Sequence, residues 1–369
     1  MHNKERFKKI ALIILSLIIL FFVGKAVVKI AKLSPFLFQL IFNRDINLKT
    51  NDGHINILLL GIGGKNHQGP NLTDTVIFTS LSTKGDKVTL VSIPRDLWVP
   101  DLDAKINTAY STGESKRPGG GLVLSKAVVK KIVNQPIDYV LRIDFDGFIK
   151  AVDLVGGLEI NVERTFDDFE YPIDGKEEDP CEHTDEELKE LATSSSQLEA
   201  FPCRYTHVRF DKGEQKMDGK TALQFVRSRH AQGEEGSDFA RSKRQEKVIK
   251  AFKDKIFSLA TLANPAKVIN LYDILKVSID TDIKDDEFDD FIRLAGKMKT
   301  AQTENAVLDT GDGEAKRPGL LINPPTGEEY NFEWVLIPRI GNGDFSEVQK
   351  YIDCEIKIGS CPVSTKPQS

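Results

Sequence analysis

Apolar and polar positions alternate between two regimes along the chain. Ile10 to Gly24 carries no charge, Ser16 is its one hydroxyl side chain, and apolar residues resume at Ala26–Val28 after Lys25. A helix over 10–30 supplies the ~20 residues that ~30 Å of hydrocarbon requires, provided that Lys25 snorkels to the interface. The segment Leu33–Phe42 reads either as a strip along the headgroup layer or as a connector. Ile55–Leu60 then reads as a buried strand ending in a glycine loop, followed by strands at Thr75–Ser80 and Lys87–Ile93. The turn chemistry at Ser82–Asp86 predicts that the latter two form a hairpin. A helix is predicted from Gly119–Gly121 to Gln135, with Leu122, Leu124, Val128, Val129, Ile132 and Val133 on its buried side.

A strand at Tyr139–Ile143, a helix at Phe145–Leu154 and a strand at Leu158–Val162 continue in βαβ-like alternation, which places the chain in the α/β class. Residues 165–202 break the pattern with acids, Pro172, Pro180 and the run Ser194–Ser196, and read as a surface excursion. Regular structure is expected again at Arg204–Phe210. A helix capped by Asp218 then runs to about Val226, with Ala222, Leu223 and Val226 inward. A long helix begins at Ser237 or Asp238 and buries Val248, Phe252, Ile256 and Leu259. Helices over 265–275 and 285–299, a final unit of Trp334–Pro338 and Asp344–Ile352, and a frayed tail from Lys366 complete the reading.

Charge sharpens the division at the start. Lys and Arg number 50 and Asp and Glu 55, a net charge of −5. Residues 1–32 hold seven basic groups and one acid, so the rest of the chain is markedly acidic. Lys4, Arg6, Lys8 and Lys9 precede the apolar run, which by the positive-inside rule puts the N-terminus in the cytoplasm and the remainder outside. A cleaved signal peptide is the competing reading, though no A-x-A site follows. An acidic body without a helix-turn-helix reader argues against nucleic acid as a partner. Cys181, Cys203, Cys354 and Cys361 all fall on the expected outer side, where disulfides form. Three pairings are possible, and local loop closure favours Cys181 with Cys203 and Cys354 with Cys361, with free thiols as the alternative.

Candidate chemistry gathers where elements end. Asp74 enters one hairpin strand and Arg95-Asp96 leaves its antiparallel neighbour, so the fold brings an arginine and two acids to one sheet corner, either as an ion pair or as an ion-binding site. Arg227-Ser-Arg229 closes a helix, and the next helix begins with Arg241, Arg244 and Gln245, of which 241 and 245 share the face of the apolar stripe. Inward arginines need an anionic partner. Four of them with Lys105 suit a pyrophosphate better than a carboxylate. Gly61-Ile-Gly63-Gly64 lacks the spacing of a dinucleotide or P-loop motif, and His67, His183, His207 and His230 have no metal-ligand spacing.

A single N-terminal span, LLLGIGG, LTDTVIF, VSIPRDLWV, KINTAY, VDLVGGLEINV, MDGKTALQFVRSRH and DFARSKRQEKV, in that order, resemble the LytR-CpsA-Psr family of bacterial cell-envelope enzymes over roughly residues 50–260. NPPTGEEYNFEWVLIPR with DFSEVQKYI resembles a tail seen in some relatives. The resemblance implies a three-layer α-β-α sandwich with a mixed central sheet and an apolar groove for a lipid tail, preceded by one transmembrane helix. The domain limits are then 1–9 cytoplasmic tail, 10–30 transmembrane helix, 31–50 linker, 51–300 catalytic domain, 301–360 an extension packed on it, and 361–369 tail.

The implied activity is a phosphotransferase moving a glycopolymer from a polyprenyl-pyrophosphate carrier to peptidoglycan or another envelope glycan through a phosphodiester. A polyprenyl-pyrophosphate hydrolase and a non-catalytic glycolipid receptor or scaffold are the alternatives. Arg95, Lys105, Arg227, Arg229, Arg241 and Gln245 match the positions that surround the pyrophosphate, with Asp74, Arg95, Arg227 and Arg229 as the catalytic set. Asp74 matches an acid associated with a divalent metal, Mg²⁺ or Mn²⁺, and Asp96 is a candidate second ligand or a support for Arg95. The chain departs from many relatives in having Gly63 in place of an Asp and Leu72 in place of an Arg, which leaves the metal-side acids incomplete unless Asn66 or His67 reaches the ion.

Overall fold

The computed structural model describes residues 45–64, 67, 69–191, 196–256, 271, 274, 278–312 and 317–365. The span expected over 10–30, the segment Leu33–Phe42, Asn66, Leu259, most of the helix expected over 265–275 and the tail from Lys366 lie outside the described residues. Among the described residues no helix is long and apolar enough to cross a membrane.

In chain order the main strands are β1 His54–Ile62, β2 Thr73–Ser82, β3 Lys87–Ile93, β4 Tyr139–Asp144, β5 Leu158–Val162, β6 Phe166–Pro172, β7 Tyr205–Phe210, β8 Gly213–Met217, β9 Ile279–Thr281 and β10 Gln302–Val307. The main helices are α1 Ala109–Lys116, α2 Gly120–Val133, α3 Phe145–Leu154, α4 Gly219–Arg227, α5 Asp238–Ile256, α6 Phe288–Lys297 and α7 Ser346–Lys357.

Six strands form a mixed central sheet in the order β9-β4-β1-β2-β3-β10. β1, β2 and β3 are an antiparallel meander, with β4 parallel to β1 and β10 parallel to β3. The hairpin predicted between β2 and β3 is present, and its turn uses Gly85 at φ 84°, where a Cβ would press on the backbone and side chain of Lys297. Both sheet faces are buried. Leu58, Leu60, Val76, Phe78, Val91 and Ile93 pack with α2 and α7 through Val129, Ile132, Val348 and Ile352. Ile55, Ile57, Ile77 and Leu90, on alternate positions, are buried on the other side. Sheets covered on both faces read as continuous apolar runs, which is why β1 reads INILLL.

Three features depart from the pattern expected of the sequence. β5 does not join the central sheet. It pairs antiparallel with β8, which the polar run GEQKM concealed, and this ribbon packs with α3, α4 and α5 through Ile160, Val162, Met217, Phe225 and Val248. Part of the expected excursion is regular: β6 pairs with β7 across a register shift and buries Phe166, Asp168 and Tyr171. The segment after residue 300 does more than pack on the domain, because β10 completes the sheet beside β3. Its sequence QTENAV buries one hydrophobe, Ala306, so no periodicity marked it.

Lys284–Ala295 groups with residues 45–48 in a separate small unit. There the Asn47 N–H donates to Asp290 at 3.2 Å and Arg293 pairs with Asp289 and Asp290. The cysteines pair as expected, Cys181 with Cys203 and Cys354 with Cys361.

Candidate active site

The site gathers at the entrance of β2, the exit of β3, the loop after β1 and the C-terminus of α4. Thr73 begins β2, and its hydroxyl donates to the Asn107 carbonyl at 3.2 Å, which ties the strand entrance to the segment behind Lys105. Asp74 follows at the sheet end. Pro94 ends β3 after Ile93, so Arg95 and Asp96 leave the sheet beside Asp74, and the corner expected from the hairpin closes: Arg95 Nη1 donates to Asp74 Oδ1 at 2.5 Å and Arg95 Nε to Asp96 Oδ2 at 3.4 Å. Burial works against the Arg95 charge, but Asp74 and Asp96 outweigh it and hold the guanidinium above its ordinary range. Lys105 Nζ lies 3.3 Å from Asp96 Oδ1 and 2.9 Å from Glu333 Oε2, so the C-terminal segment reaches the corner as well.

Arg229 stands among like charges. Burial, and next the charges of Arg95 and Arg241, push its guanidinium below the usual range, while Asp96 and Asp74 oppose the shift. Arg241 and Gln245, four apart on one face of α5, line a narrow cleft with Asp74, Ser92, Pro94 and Val307. Arg95, Lys105, Arg229, Arg241, Gln245, Asp74 and Asp96 are thus brought to one corner. Cations gathered at one corner suit an anion with several oxygens.

The turn Arg227-Ser-Arg229 is built rather than merely unwound. Asp218 caps α4 by accepting the Thr221 N–H at 2.7 Å, and the helix ends at Arg227. Asp168, buried on β6, then takes the Ser228 hydroxyl at 2.6 Å and the N–H groups of Arg229 and His230 at 3.1 and 3.3 Å, all on Oδ2. Arg244, expected as one of the site arginines, is spent on the same turn. It is buried and donates to the carbonyls of Phe225 at 2.9 Å and Ser228 at 2.5 Å and to Glu235. Burial drops it to about 10 against the opposing pull of Glu235. Sequence spacing put Arg241 and Gln245 on one helical face but counted Arg244 with the site arginines, and it gave Asp168 no signal, since its partners lie some 60 residues away.

Arg227 has its own set of partners. Its guanidinium lies 4.3 Å from the centre of the Phe145 ring and 5.5 Å from that of Tyr171. It donates to Asp174 Oδ1 at 2.9 Å, to the Tyr171 hydroxyl at 3.3 Å and to His67 Nε2 at 2.8 Å. His67 lies 3.0 Å from Asp174 and, through Nδ1, 3.5 Å from Glu177. The hydrogen bond to Asp174 raises His67 against the effect of burial, and the same bond holds Asp174 down at about 2. Asp174 and Glu177 come from the excursion after β6, whose acidic composition gave no hint that its first turn meets Arg227.

The expected metal pair fits a divalent ion poorly. Asp74 and Asp96 straddle the Arg95 guanidinium, and among the described residues no His, Cys, Asp or Glu completes a converging trio with them. A cation already lies between those carboxylates, and a second one there lacks the donors that six-coordinate Mg²⁺ requires.

The family model described as the LytR_cpsA_psr family matches residues 31–314. The chain is 28% identical over 237 residues to the polyisoprenyl-teichoic acid–peptidoglycan teichoic acid transferase TagU of Oceanobacillus iheyensis, a match covering 63% of this chain and 60% of that protein. It is 27% identical over 270 residues to the protein of the same name from Bacillus cereus, covering 72% of each. Its fold is similar to the crystal structure of B. subtilis TagV (TM-score 0.51, 24% identity, 83% of this chain and 98% of that one). The Streptococcus agalactiae protein gbs0355 superposes with a TM-score of 0.53 at 21% identity, over 82% and 88% of the two chains. The match over most of the chain, with the corner of Asp74, Arg95, Arg229 and Arg241 carried on a mixed sheet, makes this protein a member of the LytR_cpsA_psr family.

Proposed function

We propose that the chain is a phosphotransferase that moves a glycopolymer from a polyprenyl-pyrophosphate carrier to peptidoglycan or another envelope glycan. The names of its relatives, teichoic acid transferases acting between a polyisoprenyl carrier and peptidoglycan, support this reading. The observation that carries it is Arg229, set beside Arg95 and Arg241 and held below its ordinary range by desolvation and then by their charges, a cluster that a pyrophosphate would neutralise.

In this reading Arg95, Arg229, Arg241 and Gln245 hold the pyrophosphate, with Lys105 behind them and Arg227 reaching it from the Phe145–Tyr171 side. An acceptor hydroxyl attacks the phosphorus that carries the glycan, the bond to the polyprenyl phosphate breaks, and polyprenyl monophosphate leaves. Asp74, which lines the cleft with Arg241 and Gln245, takes the acceptor's proton. Charge developing on the phosphoryl and leaving oxygens is stabilised by guanidinium groups already in place.

The same reading makes the protein a single-pass membrane protein, N-terminus cytoplasmic and catalytic domain outside. The basic cluster before the apolar run and the two disulfides, which persist in oxidising compartments, support that placement.

The test incubates the full chain in detergent with a lipid-pyrophosphate-linked oligosaccharide and peptidoglycan fragments and follows the phosphodiester product by mass spectrometry. Arg229→Ala is expected to lower product formation by about 100-fold or more, as removal of a transition-state donor does. Phosphorylated oligosaccharide released without acceptor would favour a hydrolase. Bound lipid without turnover would favour a receptor.

A further inference from the structure

We propose that His67, Asp174 and Glu177 form a site for a first-row divalent metal ion on a donor set distinct from Asp74 and Asp96. One imidazole nitrogen and one oxygen from each carboxylate lie within 4.8 Å of one another. An ion bonded at about 2.1–2.2 Å spaces its donors by roughly 3 to 4.4 Å, so small side-chain adjustments close the set. The other such trio among the described residues, Asp179 with Cys181 and Cys203, has its two sulfurs joined in a disulfide.

Three further observations point to a ligand here. Glu177 Oε1 is buried without a hydrogen-bond partner, and a carboxylate oxygen in that position is costly unless a cation or donor meets it. His67 Nε2 faces both the Arg227 Nη2 donor at 2.8 Å and the Asp174 Oδ1 acceptor at 3.0 Å. A single ring nitrogen donates or accepts, so it serves only one of the two at a time. An ion bound by the imidazole and the two acids relieves that conflict once the guanidinium turns to a phosphate. Finally, Gly63 leaves room for the imidazole: a Cβ there would stand 2.5 Å from His67 Cβ and Cγ.

The side chains of His67 and Glu177 are mostly buried and that of Asp174 is about half exposed, which leaves one open side for water or an anion. A nitrogen donor disfavours Mg²⁺ and Ca²⁺, which prefer oxygen alone, while two carboxylates with one imidazole admit a first-row divalent metal, for which paramagnetic Mn²⁺ is the probe.

Titration of the full chain in detergent with MnCl₂, following free Mn²⁺ by electron paramagnetic resonance, tests this without any turnover. One site per chain is expected. His67→Ala and Glu177→Gln should each weaken it at least about tenfold, and Asp96→Asn should change it less than twofold. Circular dichroism checks that the variants fold, and Gly63→Ala, which displaces the imidazole without removing it, should weaken binding too. Absence of a site would make the trio an ion-pair network in which protonated His67 and Arg227 balance the two acids. Binding lost in Asp74→Asn but kept in His67→Ala would place the ion at the other corner. Either result overturns the proposal.

Discussion

At Asp168 one carboxylate oxygen collects the Ser228 hydroxyl and two consecutive N–H groups, and the other accepts the Glu170 N–H at 2.9 Å. That convergence fixes the exit of the chain from α4 and therefore the direction of Arg229. Asp168→Asn keeps the shape but leaves the donors facing either an amide NH₂ or a weaker, uncharged acceptor. An unmet buried donor costs about 1–3 kcal/mol. The variant should accordingly unfold at lower denaturant, and its glycopolymer transfer should fall further than its stability explains, because Arg229 loses its placement. Unchanged transfer at reduced stability would show that Arg229 is oriented by other contacts.

Among the elements, α1 and α2 meet through glycines. A Cβ on Gly113 would lie 2.2 Å from the Gly120 carbonyl oxygen, and one on Gly121 would strike the Tyr110 ring at 2.7 Å. The close approach lets α1 hold Tyr110 beside the sheet, where its hydroxyl donates to Asp280 of β9 at 2.7 Å. Gly113→Ala would force the helices apart at an overpacking cost of about 1–3 kcal/mol, measurable as a lower urea midpoint with unchanged slope. A neutral result would mean that α1 shifts freely.

For the molecule as a whole, the phenols report how folding is linked to protons. Burial, with the bond to Asp280, raises Tyr110 to about 12, and burial raises Tyr171 to about 12 against the charge of Arg227. Both folded values exceed the unfolded one near 10, so the folded state holds these protons more tightly. Their contribution is fully present below pH 10 and is lost as pH rises from about 10 to about 12. Urea midpoints should fall across that window, and Tyr110→Phe should flatten part of the slope. An equally steep decline in the variant would assign the alkaline loss to other groups.

Much of this architecture is legible along the chain because it depends on local periodicity. The apolar runs of β1 and β3, the stripe on α2, the Asp218 cap and the turn at Gly85 each involve residues a few positions apart, and each element stands where its pattern put it. The Asp74–Arg95 contact follows from hairpin register alone. The edge strands β9 and β10 and the ribbon strand β8 carry no such period, since short or polar strands are stabilised by the neighbours they pair with and not by their own alternation. The same holds for Asp168, Asp174 and Glu177, whose partners are distant in sequence and whose placement is decided by how β6 and the turn after it pack. Sequence therefore determined the fold class and the arginine corner, where charge and spacing suffice, and favoured the disulfide partners that the structure shows. Tertiary structure alone decided which arginine holds the turn, which one meets His67, and where a second set of cation donors assembles, because those outcomes depend on the relative placement of segments that share no local pattern.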